Sequence, residues 1–165
     1  MIKTARLTLR PFLDSDQPAM MEMLTDSLIK KTYMIPDFDC EEQVIRLFRR
    51  FQELSLNKER FVVAIDLDGQ LIGFMNDTGI KDDYIELGYV IHPKQHSKGY
   101  CTEALKGAIG FLFEKGFRTV GAAAFEDNIA SRRVMEKAGM KLLEKTENIE
   151  YRGVNHRCAC YSITK

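Results

Sequence analysis

The sequence has no excess of either charge: Lys plus Arg and Asp plus Glu each total 24. No overall positive field draws the chain to nucleic acid, and no run of like charge forms a basic arm. No stretch approaches the roughly 18 continuous apolar residues that cross a bilayer. The opening MIKTARLTLRPF alternates like a strand and lacks a signal-peptide core. A cytoplasmic location is expected, with neither nucleic acid nor membrane as partner. CxxC pairs are also missing, which removes the usual thiolate spacing for zinc. Cys40, Cys101, Cys158 and Cys160 therefore read as reduced thiols. His156, Cys158 and Cys160 share one face of a strand, but the ends of the trio lie about 13 Å apart by strand rise. Packing, not a metal site, is the expectation there. Internal repeats, low-complexity tracts and linkers are absent too, so residues 1–165 read as one domain.

What is present is an ordinary globular composition. Hydrophobic residues make up 45% and charged residues 29%, which argues against disorder. Residues 4–12 read as a first strand ending near Pro11, and Asp14 or Ser15 caps a helix to about Thr25. Met20, Met21, Met23 and Leu24 supply its apolar bulk as adaptable core filling. A second helix opens at Asp39, with Val44, Leu47, Phe48 and Phe51 at helical spacing and Arg46, Arg49 and Arg50 on a solvated face. RFVVAID and QLIGFMNDTGI form a hairpin about Asp68-Gly69. DYIELGYVIH is a further strand ending at Pro93.

A helix over about 98–115 follows, with Cys101, Ala104, Leu105, Ala108, Ile109 and Leu112 on one apolar stripe and Gly116 as its stop. RTVGAAAF reads as a buried strand. Asp127 or Asn128 caps a short helix that Gly139 ends, and two closing strands flank Arg152-Gly153. The order implies an α/β layered fold with a mixed sheet.

The stretch HPKQHSKGYCTEAL, residues 92–105, lies between strand and helix. A helix N-terminus offers unpaired N–H groups and the positive end of the dipole to an anion. Ser97 and Gly99 permit a tight turn, so amides from Ser97 to Thr102 can cradle two phosphates. A kinase-type P-loop needs G-x-x-x-x-G-K-[ST]; here Lys98 precedes the glycine and no Ser or Thr is placed for magnesium. A dinucleotide fingerprint needs three spaced glycines, and only Gly99 is present. Taken alone, the loop leaves a diphosphate site and an ordinary strand-to-helix turn both open.

Four motifs in register resemble the Gcn5-related N-acetyltransferase (GNAT) family, in particular its ribosomal-protein N-terminal acetyltransferase branch. They are Thr4-Ala5-Arg6-Leu7-Thr8-Leu9-Arg10-Pro11; Glu86-Leu87-Gly88-Tyr89; His96-Ser97-Lys98-Gly99-Tyr100-Cys101-Thr102-Glu103-Ala104; and Asn128 with Ser131, Glu136-Lys137 and Gly139-Met140. His96 stands where that family has Gln or Arg, and Cys101 where it has a small residue.

The resemblance implies the acyl-CoA N-acyltransferase fold, a mixed sheet of about seven strands with about four helices, splayed at the cofactor site. It implies acetyl-CoA as cosubstrate, without a metal, and direct transfer to a primary amine, best matched by a peptide or protein N-terminal α-amine. The diphosphate contact falls to His96, Ser97, Lys98, Gly99, Tyr100, Cys101 and Thr102. Val90 and Ile91 offer backbone groups to pantetheine, as do Asn128 and Ser131 with their side chains. An N–H near Tyr89 faces the thioester oxygen, and Gly88 fits a bulge.

Glu86 and Glu150 compete as general base. The family's usual tyrosine acid position is Met135, which leaves Ser131, on the inward face of its helix, as the alternative. Cys101 reads as a stripe residue rather than a nucleophile. Acetylation of a small-molecule amine and a non-catalytic acyl-CoA-binding module are the rival readings. The acceptor is expected between residues 25–60, with Lys30-Lys31, and the 148–156 turn. Monomer and homodimer both remain open.

Overall fold

The computed structural model describes residues 1–165. Its single sheet contains β1 (Ile2–Lys3), β2 (Thr8–Arg10), β3 (Val62–Leu67), β4 (Gln70–Lys81), β5 (Tyr84–Ile91), β6 (Thr119–Phe125), β7 (Lys141–Tyr151) and β8 (Val154–Thr164). Their spatial order is β1-β2-β3-β4-β5-β6-β8-β7. Every neighbouring pair is antiparallel except β5 with β6. The helices are α1 (Gln17–Thr25), α2 (Ile29–Thr32), α3 (Glu41–Ser55), α4 (Tyr100–Glu114) and α5 (Ile129–Lys137).

The sheet has eight strands where about seven were expected, because Ile2–Lys3, ahead of the expected strand over 4–12, folds back antiparallel on Thr8–Arg10. Thr4 N donates to Leu7 O at 2.9 Å and Thr4 Oγ1 accepts from Leu7 N at 3.0 Å, which closes the turn between them. The fifth helix, α2, is a four-residue turn of helix, too short to show a period. The helix at 17–25 is preceded by a 3₁₀ turn over Asp14–Asp16. Asp16 there is buried and accepts from Leu13 N and from the Arg10 guanidinium.

The hairpin turns follow from local chemistry. Asp68 (φ 52°) and Gly69 (φ 85°) are both left-handed, as are Arg152 (φ 54°) and Gly153 (φ 72°). Two successive left-handed residues match the twist of the strands they join.

Each sheet face buries its own core. Leu105, Ala108 and Leu112 of α4 and Met135 of α5 pack with Ile85, Leu87 and Val120 on one face. Met20, Met23 and Leu24 of α1 and Val44 and Phe48 of α3 cover Ala64, Phe74 and Val90 on the other. The expected methionine filling of α1 and the apolar stripe of α4 are both present. Arg46, Arg49 and Arg50 lie exposed on α3.

The sheet is not continuous. β5 pairs with β6 only at Tyr84↔Thr119, Ile85↔Val120 and Glu86↔Gly121. From Leu87 onward the two strands part. On its other side β5 stays paired with β4 as far as Gly73↔Ile91. The opening therefore exposes one edge of β5, whose unpaired backbone groups call for a partner.

Candidate active site

A cavity of about 440 Å³ fills the opening between β5 and β6. Its walls combine Leu87 to Ile91, the turn before α4, Ala123 and Ala124 of β6, the first turns of α5, and Ile29, Thr32 and Tyr33 around α2.

The turn before α4 carries two left-handed residues, Ser97 (φ 62°) and Gly99 (φ 81°). A serine rarely adopts this conformation, whereas glycine does so without steric cost. None of the amides from Ser97 to Thr102 has an intramolecular acceptor; the first helical bond runs from Glu103 N to Gly99 O. Ser97, Gly99, Tyr100, Cys101 and Thr102 all line the cavity. This is a concave row of donors at the positive end of a 15-residue helix.

His96, Val90, Ile91, Asn128 and Ser131 line the same cavity. The His96 ring braces the loop, its Nε2 lying 2.8 Å from Ile91 O. Lys98 is the exception among the expected contacts. Its Nζ turns back to Lys94 O and Gln95 Oε1, and its side chain does not reach the cavity wall.

Asn128 caps α5 by accepting from Ser131 N at 3.1 Å, a contact typically worth about 1 kcal/mol. Ser131 Oγ lies 2.8 Å from the hydroxyl of Tyr89, which also donates to Ser131 O at 3.2 Å. Burial pushes the Tyr89 hydroxyl above the ordinary tyrosine range, so it holds its proton. From sequence, Tyr89 contributes only its backbone N–H. Its spacing from Ile85 and Leu87 puts it on their face, the signal that the side chain turns to α5.

Cys101 is packed at the cavity wall, and burial pushes its thiol up to about 12. Desolvation outweighs the helix N-terminus here, so the sulfur is a neutral packing atom.

Neither candidate carboxylate lines the cavity, and the two lie in different places. Glu86 sits at the last paired position before the opening. Its Oε1 accepts from Thr78 Oγ1 at 2.8 Å and its Oε2 from Tyr84 OH at 3.1 Å. Thr78 is the unpaired residue of a register shift in β4, between Asp77 and Gly79. The bulge expected at Gly88 thus belongs to the neighbouring strand. Gly88 instead gives room: a Cβ there would meet Tyr33 OH at 3.0 Å and Thr78 Cγ2 at 3.1 Å.

Glu150 is exposed on β7 and alternates with Tyr151. The Tyr151 hydroxyl donates towards Lys30 O, Tyr33 O and Ile35 O, so Tyr151 faces α2 and Glu150 the opposite side. Asp37 pairs with Lys30 and Arg152, which ties the 29–37 segment to the 148–156 hairpin.

His156 stacks on Phe125, with ring centroids 4.1 Å apart and planes at 16°. Cys158 and Cys160 are buried beside it, and burial raises both thiols. No helix is long and apolar enough to cross a membrane.

A mixed sheet opened between two parallel strands, with a helix N-terminus at the mouth of the opening, defines the N-acyltransferase class. The family model for the acetyltransferase (GNAT) domain matches residues 6–141. The uncharacterized N-acetyltransferase YnaD of Bacillus subtilis (strain 168) is 32% identical over 144 residues, covering 85% of this chain and 82% of its own. The crystal structure of a GNAT-family acetyltransferase from Bacillus anthracis superposes with a TM-score of 0.85 at 27% identity, covering 99% and 97% of the two chains. RimL, the ribosomal L7/L12 α-N-protein acetyltransferase, shares the fold at 16% identity, with a TM-score of 0.85 over 100% of this chain and 96% of its own. It also matches as its complex with coenzyme A, at a TM-score of 0.80. The chain belongs to the GNAT family and is an N-acetyltransferase.

Proposed function

We propose that this enzyme transfers acetyl from acetyl-CoA to the α-amine of a peptide or protein N-terminus. The observation that carries the reading is the opening of β5 from β6 directly after the Glu86↔Gly121 pair, with the free amides of Ser97 to Thr102 at its mouth.

The residues present fit acetyl-CoA. The amides of Ser97, Gly99, Tyr100, Cys101 and Thr102 are donors for a diphosphate. Val90 and Ile91 line the strand edge along which an extended pantetheine arm can lie, and Asn128 and Ser131 face them from α5. His96 supports the loop by holding Ile91 O. Bound there, acetyl-CoA supplies an activated acetyl thioester. The backbone N–H near Tyr89 is the donor for the carbonyl oxygen as charge develops on it.

Glu86 is the base of this reading. Two hydroxyls orient its carboxylate beside the last pair before the opening, and from there it takes the amine's proton directly or through water. Glu150, turned to the other face of its hairpin, is the weaker candidate. An α-amine with a pKa of about 7.7–8.0 costs less than about 1 kcal/mol to deprotonate near pH 7.4, whereas a lysine at about 10.4 costs about 4. One carboxylate therefore suffices for an α-amine. Ser131 passes its hydroxyl proton to the leaving sulfur and takes one from the Tyr89 hydroxyl 2.8 Å away, which solvent reprotonates after the thiol leaves. RimL's recorded α-N-protein activity supports this acceptor class.

The test is CoA release with a panel of short peptides, polyamines, aminoglycosides and free amino acids. Peptides with free α-amines are expected to turn over, and their N-acetylated forms are not. Turnover confined to small-molecule amines would replace the acceptor, and tight CoA binding with no turnover on any amine would replace the reading.

A further inference from the structure

Two of the motifs singled out in the sequence meet in space although 97 residues separate them. Glu103, in the first turn of α4, accepts from Thr4 Oγ1 at 2.6 Å, Arg6 N at 2.7 Å and Arg6 Nε at 2.7 Å. Its Oε2 also lies 2.7 Å from Arg6 Nη2. Partial burial opposes ionisation, but the Thr4 hydroxyl, the Arg6 amide and the guanidinium outweigh it and hold the carboxyl below its usual range.

The same guanidinium grips the turn that faces the cavity. Arg6 Nη1 donates to Lys98 O at 3.1 Å. Its Cζ lies 4.5 Å above the Tyr100 ring. Its Nη2 stands 3.5 Å from where a Cβ on Gly99 would lie. Three consecutive residues, Lys98, Gly99 and Tyr100, therefore rest against one planar group.

We propose that Arg6 is a positioning residue for the anion-binding turn: anchored by Glu103, it holds the Lys98 carbonyl away from the cavity so that the following amides point into it. The proposal rests on the acetyl-CoA reading above. Its physical basis is the cost of the turn. Lys98 lies between two left-handed residues, and Ser97 persists in that conformation only if surrounding contacts over-determine it. A peptide unit free to rotate there would turn an oxygen towards the phosphates. A guanidinium presents its donors in a rigid fork, so it fixes a carbonyl and stacks on a ring at once, which an ammonium does not.

The test is calorimetry with CoA and with pantetheine, which lacks the phosphates. If the parent protein takes up no CoA, the acetyl-CoA reading fails and this proposal with it. With parent binding established, Arg6→Ala is expected to weaken CoA by about tenfold, the scale of one charge-assisted hydrogen bond. Pantetheine affinity should stay within about twofold, which also shows the variant is folded. Arg6→Lys keeps the charge without the fork and is expected to lose CoA affinity as Arg6→Ala does. Glu103→Gln should lose a similar factor, and the Arg6→Ala/Glu103→Gln pair no more than either alone, as for one device.

Full affinity in Arg6→Lys would mean that charge matters rather than positioning. Equal losses for CoA and pantetheine would make the contact a general support of the fold. Multiplying losses in the double variant, or an Arg6→Ala protein with parent-like CoA affinity, would equally overturn the proposal.

Discussion

The hydroxyl of Tyr89 and Oγ of Ser131 lie 2.8 Å apart across the cavity, on elements separated by 42 residues of sequence. The family's tyrosine position on α5 is Met135 here, fully buried in the core. A tyrosine hydroxyl nonetheless reaches the cavity, carried by β5 instead of the helix. Tyr89→Phe is expected to lower kcat by about tenfold or more while leaving CoA affinity near the parent value, as for loss of a proton donor. Ser131→Ala should lower kcat by a similar factor. Parent-like kcat in both variants would remove the pair from the chemistry.

Glu86 and Glu150 are separated by one experiment. Glu86→Gln is expected to reduce kcat by about a hundredfold, the lower range for a general base, with CoA binding retained. Glu150→Gln should leave kcat within about twofold, as for an exposed residue away from the site. The reverse ranking would move the base to the hairpin, and parent rates in both would leave ordered water.

Gly121 offers an indirect route to the same carboxylate. A Cβ there would come within 2.1 Å of Tyr84 OH and 2.7 Å of its Cζ, so the ring has to move. Gly121→Ala is therefore expected to strip one hydroxyl from Glu86 and lower kcat, with little effect on CoA affinity. A structure of the variant showing Tyr84 still on Glu86 would refute this account.

Cys101 gives a pH-dependent prediction. Its thiol is pushed from 9.0 up to about 12 by burial. The unfolded chain loses that proton first, so the folded state is favoured below about pH 9 and loses this contribution as pH rises towards about 12. Thermal melting between about pH 8 and 11 should fall less steeply for Cys101→Ala than for the parent. The same variant should keep at least about a third of turnover, because removing a nucleophile would cost orders of magnitude. Equal melting slopes, or near-total loss of turnover with CoA binding preserved, would contradict this placement.

Tyr151 braces the segment that supplies Thr32 and Tyr33 to the cavity wall, its hydroxyl lying within 2.9 to 3.4 Å of three carbonyls at positions 30, 33 and 35. Tyr151→Phe should raise KM for a peptide acceptor more than it lowers kcat, because it loosens a wall and spares Glu86. Faster hydrogen exchange confined to residues 29–37 would accompany it. Unchanged exchange there would show that the hydroxyl carries no restraint.

Much of this architecture is local, and local features are legible in a sequence. The stripe of α4, the Asp68-Gly69 and Arg152-Gly153 turns, the Asn128 cap and the Ser97–Gly99 turn each depend on residues within a few positions of one another. Thus the helices around the cavity, the tight turn before α4 and the family motifs are legible in the sequence. Strand alternation also put Glu86 on the face opposite Ile85 and Leu87, but not what would meet it there.

Contacts between distant segments were decided only by folding. Thr78 and Tyr84 on Glu86, Tyr89 on Ser131, Tyr151 on the 30–35 carbonyls and Arg6 on Glu103 each join strands or helices whose pairing register the sequence does not state. A one-residue slip of a strand would send Thr78, Tyr84, Glu86, Tyr89 or Tyr151 to the other face. That is why the sequence could name two carboxylates for one role, while folding put Glu86 at the last pair between β5 and β6, under the hydroxyls of Thr78 and Tyr84, and Glu150 on the exposed face of β7.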